Sequence, residues 1–389
     1  MGYISSNDNR FYVALEESYG RAAAATSLNR IPAVKLTTKQ ARALVQRQDK
    51  TGTRTFLGNP PGGRRTTSFE LETYMRDWAD QSKEPGYGPL FQAGLGSAAA
   101  MATPPAAAAG TSGSQITFAG AHGLQPGQAV TFGSEMRFVT AIVNANSVQL
   151  NAPFSVTPAA GASIGTTATY MPGDEMSSAT ILDYWSPVSA VQRALYGAAV
   201  NVIEIQINGD VQRFRFAGNA CDILDTSSFQ QGEASLDGFP QEPDTSSFNY
   251  SIVPGHLGQV WLGSSPEQFF TLTSAAVKIN NNADLRDKEF GSNLARGISA
   301  GTRTVTVDFS VYGQDDAQTK ALYQAARQDS PVSVMLQLGQ QAGQLAGIYM
   351  KGVMLETPSF DDSDKRQQWT FQNARAQGTG NDEISIAFG

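Results

Sequence analysis

Residues Gly301–Tyr312 read GTRTVTVDFSVY, and residues Gly62–Tyr74 read GGRRTTSFELETY. In the first stretch Val305, Val307, Phe309 and Val311 alternate with Thr304, Thr306, Asp308 and Ser310. A period of two sends the apolar set to one face of a β-strand and the polar set to the other. Such a strand packs a core on one side and meets water on the other. In the second stretch Phe69 and Leu71 alternate with Ser68, Glu70 and Glu72 in the same way. When Arg65 is set on Arg303, the Arg, the next Thr and the closing Tyr coincide, and Glu70 falls on Asp308. The chain writes one strand twice.

Two further pairs of stretches recur in the same order. PAVKLT at Pro32–Thr37 matches AAVKIN at Ala275–Asn280. LYGAAVN at Leu195–Asn201, then QRFRFAGNA at Gln212–Ala220, matches IYMKGVM at Ile348–Met354, then QQWTFQNA at Gln367–Ala374. Three matches in one order, with similar short gaps, imply a tandem duplication. Arg65 and Tyr196 are 131 residues apart and Arg303 and Tyr349 are 46 apart, so the first copy carries about 85 extra residues. They are expected after GLG at Gly94–Gly96, which resembles QLG at Gln337–Gly339. There SAAAMATPPAAAAGTSGS (Ser97–Ser114) reads as a flexible linker. The runs QITFAG, QAVTFG, RFVTAIV and SVQLNA follow with turn signals between them, so Ser114–Thr157 reads as a small β-module. A second small-residue stretch, Pro158–Gly165, closes it. The expected division is a discontinuous first domain over 1–96 and 170–235, an inserted small β-domain over 97–169, and a second domain over 236–389.

One helix is predicted over Asp315–Gln328, with Asp315 and Asp316 at its N-terminus and Ala317, Ala321, Leu322 and Ala325 on one face. Its counterpart in the first copy is interrupted by Pro85–Gly86. Between the AVK strand and the Arg-Thr strand each copy has a polar stretch, Thr38–Gly63 and Asn280–Gly301. Both are long for a hairpin connection, and long loops tend to carry function.

Composition narrows the function classes. Charged residues are sparse at 16% while Gly, Ser, Thr, Gln and Asn are plentiful, which suits turn-rich β structure. The formal charge of −7 gives no overall attraction for nucleic acid. The single cysteine, Cys221, forms no internal disulfide and reads as a small buried side chain. Met1–Arg10 is polar and no apolar run reaches the ~18 residues of a membrane span, so a soluble protein made in a reducing cytoplasm is expected. His122 and His256 lack HExxH or CxxC context, and NPPGGRR (Asn59–Arg65) lacks the Lys-Ser/Thr of a phosphate loop. GxSxG occurs at Gly161–Gly165 and Gly297–Gly301, but neither has the strand-then-helix context of a nucleophile elbow. DDSDK (Asp361–Lys365) lacks EF-hand spacing and reads as a solvated turn. No catalytic residue, metal site or cofactor is predicted, and the chain reads as a non-enzyme.

The order strand, long polar loop, alternating strand, helix, closing hairpin resembles the phage tail tube protein family, in particular that of long, non-contractile tails. The residues carrying the resemblance are AAVKI, RDKEFGSNLARGISAGTRT, VTVDFSVY and YMKGVMLETPSFDDSDKRQQWTFQNA in the second copy. In the first they are FYVALEESYG, GRRTTSFELETY and LYGAAVNVIEIQINGDVQRFRFAGNA. The resemblance spans most of the chain outside Ser97–Thr157. It implies a mainly β fold of two tandem tail-tube-type β-sandwich or barrel domains, each with a flanking helix, plus the inserted β-domain. Family members form stacked rings in which each domain gives four strands to an inner barrel and a long loop reaches the neighbouring ring. A two-domain chain then gives a pseudo-hexameric ring of three subunits, a structural virion protein through whose channel phage DNA passes without specific binding. The implied partners are further copies of the chain, the tape measure protein, the tail terminator and the distal tail protein, with assembly in the host cytoplasm and no membrane. Ser68, Glu70, Glu72, Thr306, Asp308 and Ser310 are expected to face the lumen as an acidic and small polar lining. Arg47, Lys50, Arg54, Arg286, Lys288, Glu289 and Arg296 are expected in the inter-ring loops, and the insert is expected on the outside. A distal tail or terminator ring of the same fold, and a carbohydrate- or receptor-binding β protein, are the alternatives.

Overall fold

The computed structural model of the chain describes residues 3–43, 49–56, 58, 63–78, 80–207, 209–244, 248, 251–263, 268–269, 271–363 and 365–389. Among the described residues the fold is mainly β, with two α-helices and a curled half-barrel sheet. The first half contributes β1 (Asn9–Leu15), β2 (Ala33–Arg42), β3 (Arg65–Tyr74) and α1 (Gly88–Leu95). A small sheet of β4 (Gln115–Thr117), β5 (Ala129–Phe132), β6 (Glu135–Asn144) and β7 (Ser147–Leu150) follows. Then come β8 (Ala179–Trp185), β9 (Arg193–Ile207), β10 (Arg213–Ala220) and β11 (Asp222–Asp225). The second half has β12 (Gly258–Leu262), β13 (Leu272–Asn280), β14 (Thr304–Tyr312), α2 (Ala317–Arg327) and β15 (Val332–Leu338). It ends with β16 (Ala346–Met354), β17 (Ser359–Asp361), β18 (Gln368–Ala376) and β19 (Ser385–Phe388).

The long strands join in one antiparallel succession, β2–β3–β10–β9–β13–β14–β18, whose last strand is flanked by β16 and β17. Behind this arc the first half stacks β1–β8–β9–β11 and the second half β12–β15–β16–β19. The strand order in the two halves is therefore the same. Both back sheets carry a register shift at the same place, between Ala179 and Ile181 on β8 and between Val332 and Val334 on β15.

Registers test the sequence matches residue by residue. Leu71 faces Phe216 as Phe309 faces Phe371, and Tyr74 faces Arg213 as Tyr312 faces Gln368. The Arg-Thr stretches and QRFRF/QQWTF thus correspond as aligned. The AVK stretches do not: Lys278 faces Thr306, whose counterpart is Ser68, and Ser68 faces Lys39 rather than Lys35. β2 runs on to Arg42, so Thr38–Arg42, expected in the loop, is strand. LYGAAVN is displaced as well, since Ala198 faces Ala179 while Val353, not Lys351, faces Val332. Both displacements are even, four and two residues, and an even slip keeps every side chain on its face. GLG and QLG are not counterparts, because Gly94–Gly96 ends a helix and Gln337–Gly339 ends a strand.

The alternation in β3 and β14 decides which side is core. Phe69, Leu71, Val305, Val307, Phe309 and Val311 are all buried. Each such side chain contributes about 1.5–3 kcal/mol by leaving water. α1 begins just past the Pro85–Gly86 interruption, with Pro89 in its first turn, and ends at Gly96 in the left-handed region. Its Phe91 ring lies 5.1 Å from Phe216 and 5.4 Å from Phe388, and a Cβ on Gly94 would come within 2.6 Å of Ile203. α2 is capped by Asp316, whose carboxylate accepts from the Thr319 N–H at 2.6 Å. Its buried face is Thr319, Leu322 and Ala326; Ala317 and Ala321, expected there, are exposed.

The inserted sheet, ordered β4–β7–β6–β5, has its own core of Ile116, Phe118, Val130, Val139, Val148 and Leu150. Ser97–Ser114, expected to be a flexible linker, is tied in. Ala100–Ala102 pairs with Thr167–Tyr170, which in turn pairs with β19. Alanine side chains are small enough to let these strands close up against their neighbours. The β5–β6 hairpin docks on the second half: Met136 and Phe138 pack with Trp261, Met335 and Tyr349. The buried Arg137 guanidinium lies 3.9 Å over the Trp261 ring and reaches Glu135 at 3.0 Å. Cys221 is buried as expected, and burial pushes its thiol up to about 11.

Candidate functional site

One face of the arc carries the core and both helices; the other is polar. Alternation places Lys35, Thr37 and Lys39 of β2, and Ser68, Glu70 and Glu72 of β3, on that second face. Arg213 and Arg215 of β10, Glu204 and Gln206 of β9, and Lys278 of β13 join them. Thr306 and Asp308 of β14, and Arg375 of β18, continue the face on the far side.

The two arginines of β10 are ion-paired on this face. Arg215 donates to both oxygens of Glu70 at 2.9 Å, through Nε and Nη2, and through Nη1 to Glu204 at 2.8 Å. Arg213 donates to Glu72 at 2.7 Å. The hydrogen bond from Arg215 holds the Glu70 carboxyl below its ordinary range, and Glu70 and Glu204 raise Arg215. Directly across the strands, Lys35 faces Glu72 and Glu204 faces Lys278. Asp308 accepts from the Asn373 N–H at 2.6 Å.

All six candidates lie on the polar side: Glu70 and Asp308 are exposed there, and Ser68, Glu72 and Thr306 are half-buried. Ser310 lies on the same side, facing Thr370, but it is largely buried there, with its hydroxyl 3.0 Å from that of Thr370. The face is also not acidic. Lys35, Lys39, Arg213, Arg215, Lys278 and Arg375 outnumber Glu70, Glu72, Glu204 and Asp308. The RFR of β10, the EIQ of β9 and the VKI of β13 enter the sequence analysis as repeat matches and carriers of the resemblance, not as charged faces. Their period of two already assigns the charged residues to one side.

The loop candidates divide. Arg47 lies outside the described residues. Lys50 and Arg54 are exposed, and Phe56 beside them is 74% exposed. In the second loop Arg286 pairs with Glu289, Arg296 donates to the Gly291 carbonyl at 3.3 Å, and Phe290 at the tip is fully exposed. The rest of that loop is held by the chain itself. The Lys288 carbonyl accepts from Arg64 at 2.9 Å and the Asn293 carbonyl from the Arg65 N–H at 2.9 Å.

The arc ends in two strand edges. Among the described residues β2 pairs only with β3, and β17 only with β18. Among them, too, no group of three or more His, Cys, Asp or Glu is placed to hold a metal ion, and no helix is long and apolar enough to cross a membrane. No family model matches the chain, and no curated protein matches it.

Proposed function

We propose that the chain is a tail-tube-type ring subunit produced by tandem duplication, three copies of which close a barrel around a channel for phage DNA. The observation that carries this reading is the repeated strand order. β2–β3–β10–β9 and β13–β14–β18–β16/β17 are two like quartets, joined edge to edge by β9 and β13. One chain then supplies two adjacent sectors of a ring. Three arcs of eight strands spaced about 4.8 Å apart have a circumference near 115 Å, hence a backbone diameter of roughly 37 Å before strand tilt widens it. Side chains do not fill such a bore.

Ion pairing of the β10 arginines supports a wall on which a polyanion slides rather than being gripped at those positions. A free guanidinium grips phosphate and releases counterions. Arg215, committed to Glu70 and Glu204, has little left to offer. The uncovered face lines the bore, and the inserted sheet, docked on the back layer, lies on the outside. The exposed Phe56 and Phe290, with Lys50, Arg54 and Arg286, extend toward the next ring.

Negative-stain microscopy of concentrated purified protein tests this. Rings of three subunits stacking into tubes are expected. A monomer that forms no rings at any concentration contradicts the reading, and rings that never stack favour a distal or terminator ring.

A further inference from the structure

The two open edges have internal counterparts, and these fix how neighbouring copies meet. Within the chain, β9 and β13 form an antiparallel seam in which Glu204 faces Lys278, Ile205 faces Val277 and Gln206 faces Ala276. Ile205 faces Phe214, which faces Thr73; Phe360 of β17 faces Trp369, which faces Val311, the counterpart of Thr73. Phe360 therefore holds the place of Ile205. At the other end Val277 faces Val307, and Thr38 faces Phe69, the counterpart of Val307. Thr38 holds the place of Val277.

Exposure agrees with a missing strand. Ile205 and Val277 are buried in the internal seam, whereas Phe360, on the same core side, is 50% exposed. Its ring rests on Trp369 at 5.3 Å and on Tyr323 of α2 at 6.1 Å, so only its outer flank is bare.

We infer that β2 of one copy pairs antiparallel with β17 of the next, with Thr38 facing Phe360, Lys39 facing Ser359 and Thr37 facing Asp361. This seam rests on the ring reading above and adds its register. Parity is satisfied, since Thr38 and Phe360 are on the core side and the other four residues on the polar side. Charge is satisfied as well: Asp361 opposite Thr37 is flanked diagonally by Lys35 and Lys39 of the neighbour. The partner is a second copy of this chain, because the seam reproduces one the chain already makes with itself. β17 is only three residues long, and a short edge strand protects the free subunit from indiscriminate pairing.

Cysteine pairs in a Cys221→Ala background test the register. Disulfides need Cα atoms about 4.4–6.8 Å apart. Thr38→Cys with Phe360→Cys, and Lys39→Cys with Ser359→Cys, should give covalent multimers ending at the ring size. The off-register pair Thr38→Cys with Asp361→Cys should give roughly tenfold less product, since a one-residue slip turns the two side chains to opposite faces. Phe360→Lys should abolish rings in microscopy while the monomer keeps its melting temperature within a few degrees, because the site is half exposed. Rings that cross-link only off register overturn this seam and leave the ring reading intact. A chain that neither cross-links nor forms rings overturns both.

Discussion

Arg215 shows how much one side chain determines on this surface. Its guanidinium is shared between Glu70 and Glu204, on the two strands that flank β10. Exposed ion pairs of this kind contribute only about 0.2–1 kcal/mol each. Their consequence is electrostatic: three charges leave a net charge of −1, and the guanidinium's donors are engaged by two carboxylates. Replacing both partners, Glu70→Gln with Glu204→Gln, frees that cation at little cost to folding. Assembled variant protein should then bind duplex DNA weakly, with a salt-dependence slope steeper by about 0.9 for each phosphate newly contacted. Titration of labelled duplex against wild type and variant across a salt series measures this. Equal binding at every salt concentration contradicts the paired-cation account. Glu70 and Glu72 were legible in the sequence as water-facing, but their partners lie far away in the chain, Arg215 being 145 residues from Glu70. Local alternation reports the face of a residue and not what stands beside it.

At the level of elements, the β5–β6 hairpin fastens the inserted sheet to the second half. Arg137 is fully buried between the Trp261 and Phe154 rings and satisfied by Glu135 and the Met136 and Pro153 carbonyls. Arg137→Ala leaves Glu135 buried without its cation, and breaking a buried pair costs about 3–5 kcal/mol. Denaturant unfolding should show a loss of that size, and a loss below ~1 kcal/mol contradicts the buried-pair account. Strongly periodic elements were readable: β3, β14 and α2 all lie where alternation and capping residues put them. Elements without a period were less so. α1 follows Pro85–Gly86 as the interrupted counterpart of α2 that the sequence suggests, but it is buried almost all round, so no polar stripe marks its extent. Ala100–Ala102 is a strand held by its neighbours, and its composition reads as linker because alanine carries no strand preference of its own.

On the scale of the whole molecule, the shared strand order and the uncovered polar face make one connected arc with an open edge at each end. Two matches from the sequence, the Arg-Thr strand and QRFRF/QQWTF, lie in register, while the AVK and LYG matches slip by even steps. Core packing constrains which face a residue takes more tightly than it constrains position along the strand, so side chains keep their side while local similarity drifts. A cryo-EM map of the assembled protein tests the central claim most directly. Three chains around one axis, with Glu70 and Asp308 directed into the bore and β2 of each chain beside β17 of the next, is the predicted result. Rings with those carboxylates on the outer surface, or six whole chains each presenting one quartet to the bore, would contradict it.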